Sequence, residues 1–312
     1  MEQKLISIII PTYNRAHLIG DTIVSIQNQT YAHWECIIVD DGSTDDTEAL
    51  ILKCKKQDDR VSYYKKPDYL PKGPSAARNY GFSKSKGDYI NWFDSDDLMH
   101  PEKLETDLKF LASGDFDFTI SQSAFFKDRG EAKKQYWNAR LWSADPINDF
   151  ICKKIGWGIN SPLWLRKSLI QTKLSFDEAL MTADDFKYHL QALVFGLRPV
   201  IIDTVLVDLR EHDNRLNDYP DKASNKLRTY FYLIEKKGVL ELNFKVIRYL
   251  NWHFLKYFSS LLKAKKIKLA SSVLFEMLYS NFKFKTKFKA VKLWLFGLIY
   301  CLTGEGYKFL KL

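Results

Sequence analysis

The first hundred residues repeat one pattern four times: a short apolar run, a polar cluster, then an amphipathic stretch. Residues 5–10 (LISIII) form a β-branched run of the kind found in strands buried on both faces. Residues 11–14 (PTYN) close it, and residues 18–27 then set Leu18, Ile19, Ile23 and Ile26 on one helical face. A second buried strand spans 35–39 (ECIIV) and ends in Asp40-Asp41-Gly42-Ser43. A helix follows over 45–56, with Thr44 or Asp45 available as its N-cap. Residues 61–65 read as a third strand, and Pro74 opens a helix running to residue 83, at a position where its missing N–H costs nothing. The fourth strand, 89–93 (YINWF), ends in Asp94-Ser95-Asp96-Asp97, and Pro101 opens a further helix to about residue 112. Such repetition predicts an α/β fold: a mostly parallel sheet flanked by helices on both faces. Ligands of such sheets sit outside the carboxyl ends of the strands. The clusters PTYN, DDGS and DSDD all fall there, which makes them one candidate site.

Farther along, 116–121 and 200–207 read as strands, and 183–195 as a helix stopped by Gly196. After Pro220 the sequence turns helical, aromatic and basic. Residues 1–221 hold 28 Lys+Arg against 34 Asp+Glu, whereas residues 222–312 hold 19 against 4. An acidic body of 1–215 followed by a basic helical region of 216–312 is the expected division. An apolar content of 46% with 27% charged residues excludes a disordered chain. Cys36, Cys54, Cys152 and Cys301 lie too far apart for a zinc module or a disulfide scaffold and read as reduced thiols. There is no signal-like apolar stretch at the N-terminus and no run of eighteen apolar residues, so a cytoplasmic chain without a membrane span is expected.

The chemistry is concentrated in carboxylates. Three of them packed at the end of the fourth strand repel one another unless a cation or hydrogen-bond donors neutralise them. A hard divalent ion, Mn²⁺ or Mg²⁺, with oxygen ligands and substrate phosphates is one solution. The plain alternative is capping of the helix at Pro101, a role that suits Asp97 better than Asp94 or Asp96, since one cap needs one carboxylate. Asp40 and Asp41 can accept hydrogen bonds from a base or ribose, or can simply form an Asp-Gly turn.

Four blocks in order, 6–15 (ISIIIPTYNR), 37–47 (IIVDDGSTDDT), 73–81 (GPSAARNYG) and 88–97 (DYINWFDSDD), resemble the family 2 nucleotide-sugar glycosyltransferases of GT-A fold. The resemblance covers about residues 4–215 and implies an inverting, metal-dependent transferase of cell-surface polysaccharide synthesis. It implies that Pro11, Tyr13, Asp40 and Asp41 lie at the nucleotide base and that Arg78 approaches the nucleotide from the other side. Asp94-Ser95-Asp96 matches the DXD motif, with Asp94 towards ribose, Ser95 within the donor site and Asp96 on the metal. By residue type alone, Arg78 could equally be a surface helix residue. The family's catalytic carboxylate falls at Asp185, and Asp184 stands where the family usually has Glu. Both sit at the start of a helix, whose dipole favours an ionised base; helix stabilisation alone is the competing role for Asp184. His212, in Arg210-Glu211-His212, is a candidate metal ligand or phosphate contact, or a surface-loop histidine. The Gln-x-x-Arg-Trp signature of processive synthases is missing, which implies transfer of one sugar per event. The donor is expected to be a UDP-sugar, and the acceptor a glycan or a lipid-linked glycan. A sugar nucleotidyltransferase would carry a Gly-rich loop where this chain has Pro-Thr-Tyr-Asn. A catalytically inactive nucleotide-binding module on a membrane is the other alternative.

In the basic region, 246–263 sets Arg248, Asn251, Lys256, Ser259 and Lys263 on one arc, with Leu250, Phe254, Tyr257, Phe258 and Leu261 on the other. Residues 264–302 add lysines among leucines and aromatics. This suits an anionic membrane surface at the inner face of the plasma membrane, where each basic residue contributes about 1 kcal/mol. A helical bundle with a solvated basic face is the alternative. No RNP, KH or helix-turn-helix pattern accompanies the charge, so nucleic acid is not expected.

Overall fold

The computed structural model describes residues 4–127, 132–211, 222–238 and 240–311, which fall into two units, Met1–Asn214 and Arg215–Leu312. In the first unit every residue of β1 (Ile6–Thr12) is buried. Alternation explains why both faces of this strand are apolar. Ile6, Ile8 and Ile10 join Ile19, Ile23 and Ile26 of α1 (Ile19–Gln27), Ile51 of α2 (Thr47–Gln57) and Leu104 of α4 (Lys103–Leu111) in one core. Ile9 points to the other face, under α3 (Pro74–Lys84). A Cβ at Gly81 would lie 2.4 Å from Ile9 Cγ2, so the absence of a side chain at Gly81 lets that helix close onto the sheet.

β1, β2 (Trp34–Asp40), β3 (Val61–Lys65) and β4 (Tyr89–Trp92) pair in parallel, in the spatial order β3-β2-β1-β4. Thr12 pairs with Asp40, and Asp40 with Lys65, so the carboxyl ends of these strands line up on one edge. Beyond β4 the sheet becomes mixed. β8 (Leu163–Leu165) runs antiparallel to β4 and to β6 (Phe118–Phe126), and β9 (Pro199–Arg210) runs parallel to β6. β5 (Leu98–Met99) and β7 (Ala132–Tyr136) add antiparallel edges to β9 and β6. The helices α5 (Pro146–Ile151), α6 (Arg166–Thr172) and α7 (Asp184–Val194) complete the unit. An aromatic cluster fastens α7 to the sheet: Trp92 meets Phe176 and Tyr188, and its indole N–H donates to the Tyr188 hydroxyl at 3.1 Å. The α/β sheet flanked by helices is as the sequence pattern requires.

The second unit contains α8 (Lys222–Glu235), α9 (Phe244–Lys263), α10 (Ile267–Tyr279), α11 (Phe284–Thr303) and a 3₁₀ turn, Tyr307–Leu310. The Asn243 side chain caps α9 by accepting from Val246 N–H. Leu250, Phe254, Phe258 and Leu261 are buried, so the apolar arc of α9 is the core of its own unit. Ser259 departs from the expected solvated arc: it is buried and donates to the Leu310 carbonyl, because the C-terminal turn covers it. Among the described residues no helix is long and apolar enough to cross a membrane.

Candidate active site

The first two polar clusters are tied into one wall. Asn14 takes a left-handed φ of 51°; its N–H donates to Ser43 Oγ, and its side chain accepts from Thr44 N–H at 2.8 Å. One Asp40 oxygen accepts from Ser43 N–H and Oγ, and the other accepts from the Tyr63 hydroxyl at 3.0 Å. Asp40 thus shapes the turn, while Asp41 faces the loop after β3. Asp41 Oδ2 accepts from Gly73 N–H at 2.6 Å, and Oδ1 lies 2.9 Å from the buried ammonium of Lys66. Lys66 also donates to the Pro71 carbonyl, which wraps residues 66–73 around Asp41. Gly73 has φ +115°, and a Cβ there would lie 2.5 Å from Met181 Sδ; no other residue fits that turn. Pro11 is buried at the end of β1, whereas Tyr13 is 53% exposed at the mouth of this wall.

The third cluster is held by arginines. Arg78, on the first turns of α3, donates through Nη2 to Asp94 Oδ1 and through Nη1 to Asp184 Oδ2, both at 2.7 Å. It is 5% exposed, so it is a buried bridge and not the surface helix residue that its type alone allowed. Ser75 Oγ adds a bond to Asp184 at 3.2 Å. Asn160 accepts from Asp94 N–H and donates to Asp97 Oδ2, and Asp97 Oδ1 accepts from Arg210 N–H. Arg210 Nε donates to the Asp96 carbonyl, and Arg15 Nε lies 3.9 Å from Asp96 Oδ2. Asp97 therefore anchors the end of β9 and does not cap α4, which begins at Lys103 after an uncapped Glu102. Ser95 is buried within this turn.

One carboxylate oxygen from each of Asp94, Asp96 and Asp97 lies within 4.8 Å of the other two. A hard-oxygen set of this size suits a divalent cation completed by waters and phosphate oxygens. Burial pushes the Asp94 carboxyl up to about 6; Arg78 pulls it back and Asp96 adds to the rise. Burial likewise raises Asp184, again opposed by Arg78. Burial works against the charge of Arg78, but Asp94 and Asp184 outweigh it and hold the guanidinium pKa above its ordinary value.

Asp184 and Asp185 open α7 behind Ala183, whose φ of 62° turns the chain into the helix. Asp184 is buried in its arginine bond, while Asp185 is half-buried, with Oδ1 accepting from Phe186 N–H at 2.7 Å. The structure thus brings Asp94 and Asp184 together through Arg78, with Asp96 beside Asp94 and Asp185 next in the chain after Asp184. His212 lies outside the described residues. Arg15, Lys66, Asn160 and Arg210 were not singled out from sequence as site residues. Arg15 ends the block ISIIIPTYNR and Arg210 opens the Arg-Glu-His motif, whereas Asn160 and Lys66 carry no local signal.

Residues 7–171 match glycosyl transferase family 2. The chain belongs to that family. It is 40% identical over 251 residues to the putative teichuronic acid biosynthesis glycosyltransferase TuaG of Bacillus subtilis, covering 79% of this chain and 95% of that one. It is 29% identical over 170 residues to the GalNAc(5)-diNAcBac-PP-undecaprenol beta-1,3-glucosyltransferase of Campylobacter jejuni, covering 54% and 53%. A 126-residue stretch is 46% identical to an uncharacterized glycosyltransferase of Rickettsia bellii, and this chain spans only 18% of that protein's length. Two solved structures share the fold. One is S. aureus TarS 1–349 in complex with UDP-GlcNAc, at TM-score 0.57 and 16% identity, covering 98% of this chain and 90% of that one. The other is the mannosyltransferase PcManGT from Pyrobaculum calidifontis in complex with GDP-Man and Mn2+, at TM-score 0.57 and 15% identity, covering 98% and 89%. The chain is thus a member of glycosyl transferase family 2 with the α/β GT-A fold.

Proposed function

We propose that this chain transfers one sugar, with inversion, from a nucleotide-sugar to a hydroxyl of a glycan or lipid-linked acceptor in cell-surface polysaccharide synthesis. A UDP-sugar is the expected donor, and the inner face of the plasma membrane the place of work. One observation carries the reading: Arg78 joins the DXD carboxylate Asp94 to Asp184, beside Asp185, at the carboxyl edge of the parallel strands. Names of relatives support the substrate classes: UDP-GlcNAc and GDP-Man in the two structures, and an undecaprenol-linked acceptor in the Campylobacter enzyme.

In this reading Pro11, Tyr13 and Asp41 receive the nucleotide base, with Asp40 fixing the turn and Lys66 the orientation of the Asp41 carboxylate. Asp94 and Ser95 face the ribose and the start of the diphosphate. Asp96 would hold a divalent cation with help from its neighbours, and the family resemblance offers His212 as a candidate further ligand or phosphate contact. When bound, the cation neutralises the departing diphosphate. Asp185 takes the proton from the acceptor hydroxyl as that oxygen attacks the anomeric carbon, and the single displacement inverts the configuration. One base suffices because a nucleoside diphosphate is already a good leaving group. Asp184, locked by Arg78 and Ser75, fixes the first turn of α7 and so the direction of its neighbour.

The test is calorimetric titration with UDP-, GDP- and dTDP-sugars, each with Mn²⁺ and with EDTA. One donor is expected to bind only with metal, and Asp96→Asn to abolish that binding. Asp185→Asn is expected to keep donor binding and to lose transfer by a factor of about 10²–10⁴. Metal-independent binding that Asp96→Asn leaves intact overturns the metal assignment. Failure of every donor overturns the transferase reading.

A further inference from the structure

The last long helix has two apolar faces, one buried within its unit and one exposed. Thr286, Ala290, Leu293 and Gly297 of α11 are buried, with Gly297 so close to α9 that a Cβ would lie 2.6 Å from a Leu262 methyl carbon. Phe284, Phe288, Leu295, Ile299 and Leu302 are exposed, at 83%, 62%, 51%, 49% and 84%. At 3.6 residues per turn these five fall within an arc of about 60°, opposite the buried four. Lys285 and Lys292 border the stripe on one side and Lys287 on the other. Lys287 Nζ donates to the Leu278 carbonyl, which sets the Phe284 end beside the C-terminus of α10, where Phe275 and Tyr279 are 63% and 80% exposed.

We infer that this stripe is the membrane-contact surface: α11 lies flat on an anionic bilayer, its five apolar residues entering the acyl boundary and its lysines meeting the headgroups. The inference rests on the reading that the enzyme works at a membrane, and it assigns the face. Charge decides the occupant. With 19 Lys+Arg against 4 Asp+Glu over residues 222–312, two copies joined by this stripe would press like charges together, whereas anionic headgroups neutralise them. Lysine stems can lie along the apolar stripe with their ammonium groups in the headgroup layer. The geometry is that of an interfacial helix, which enters about 5–10 Å and does not span. The apolar arc of α9, by contrast, is used up inside the unit, so of the two basic stretches, 246–263 supplies a packing helix and 264–302 the surface helix.

The experiment uses the full chain sedimented with vesicles of phosphatidylcholine alone or mixed with phosphatidylglycerol. Binding is expected only with the anionic lipid. Phe288→Ser with Leu295→Ser is expected to weaken it at least about tenfold, with circular dichroism and donor binding unchanged because both positions are exposed. Ile299→Trp is expected to be quenched by acyl-brominated lipid. Three results overturn the inference: no vesicle binding, binding abolished by salt but indifferent to the serine pair, or self-association without vesicle binding that the serine pair removes. None of these three results depends on a donor, so failure here is distinct from failure of the transferase reading.

Discussion

Replacing Arg78 with methionine keeps the length of the side chain and removes the bridge between Asp94 and Asp184. The bonds to both carboxylates are 2.7 Å long, and the side chains of Arg78 and Asp184 are 6% and 9% exposed, so the Asp184 carboxylate would be left buried and uncompensated. Removing one partner of such a pair costs about 3–5 kcal/mol. Protonation of Asp184 sets a ceiling. A carboxyl that ionises near 3.9 when unfolded costs about 4 kcal/mol to keep protonated at pH 7, and about 1.5 kcal/mol at pH 5. Asp94 is one-third exposed, and its share is discounted to little. The sign follows from proton counting. In the variant the native state holds a proton that the unfolded state releases above about pH 4, so the penalty grows as pH rises. Chemical denaturation of wild type and Arg78→Met at pH 5, 6 and 7 should show the difference widening to about 3–4 kcal/mol. Adding Asp184→Asn should recover most of it. A loss below about 1 kcal/mol at pH 7, or a loss that neither changes with pH nor yields to Asp184→Asn, would refute the bridge.

Two further predictions concern buried charge. His189 is 1% exposed among Trp157, Trp164 and Phe150, and burial pushes its pKa down to about 3. The unfolded chain takes up that proton below about pH 6.5 and the native state does not, so stability falls with pH by up to about 1.4 kcal/mol per unit. Denaturation of His189→Phe between pH 7 and 5 should lack that slope. Lys103 and Asp107 form a fully buried pair on α4, with Lys103 also donating to the Ser161 carbonyl. Lys103→Met should cost about 3–5 kcal/mol by thermal and chemical melts, and Lys103→Met with Asp107→Leu should restore most of it.

The half of the sheet made by β1–β4 was legible because β1, β2 and β4 are buried on both faces and each of them runs into polar residues, while β3 is a short run of strand-forming residues. Its elements fall within a few residues of the expected bounds, as at Thr47–Gln57 against 45–56. Asp45, one of the two expected caps, does receive Thr47 N–H at 3.1 Å, although the helix begins one residue beyond its neighbour Asp46. The other half was less legible. β5 and β8 have two and three residues, too few to display a period, and α5 and α6 are short helices without side-chain caps. The site divided in the same way. Carboxylates announced themselves by clustering, but the groups that hold them come from distant turns: Asn160 from the approach to β8, Arg210 from the end of β9 and Lys66 from the loop after β3. Only the pairing of strands far apart in sequence brings these residues together.

That placement bears on why a cation belongs in the proposed mechanism. A diphosphate arriving at this edge meets Asp94, Asp96, Asp97 and Asp184, a field that opposes it. The cations described there are engaged: Arg78 with Asp94 and Asp184, Arg210 with Asp21 and the Asp96 carbonyl, Lys66 with Asp41. Drawing Arg78 onto the phosphates would strand Asp184 in the apolar interior, at the cost worked out above for Arg78→Met. Arg15 stands farther off, 3.9 Å from Asp96, as a weaker contact. Recruiting a divalent ion onto Asp96 costs none of these bonds and reverses the local sign of charge. The arginines thus serve the fold by holding the carboxylates in place, and in the proposed mechanism the charge that meets the diphosphate comes with the donor.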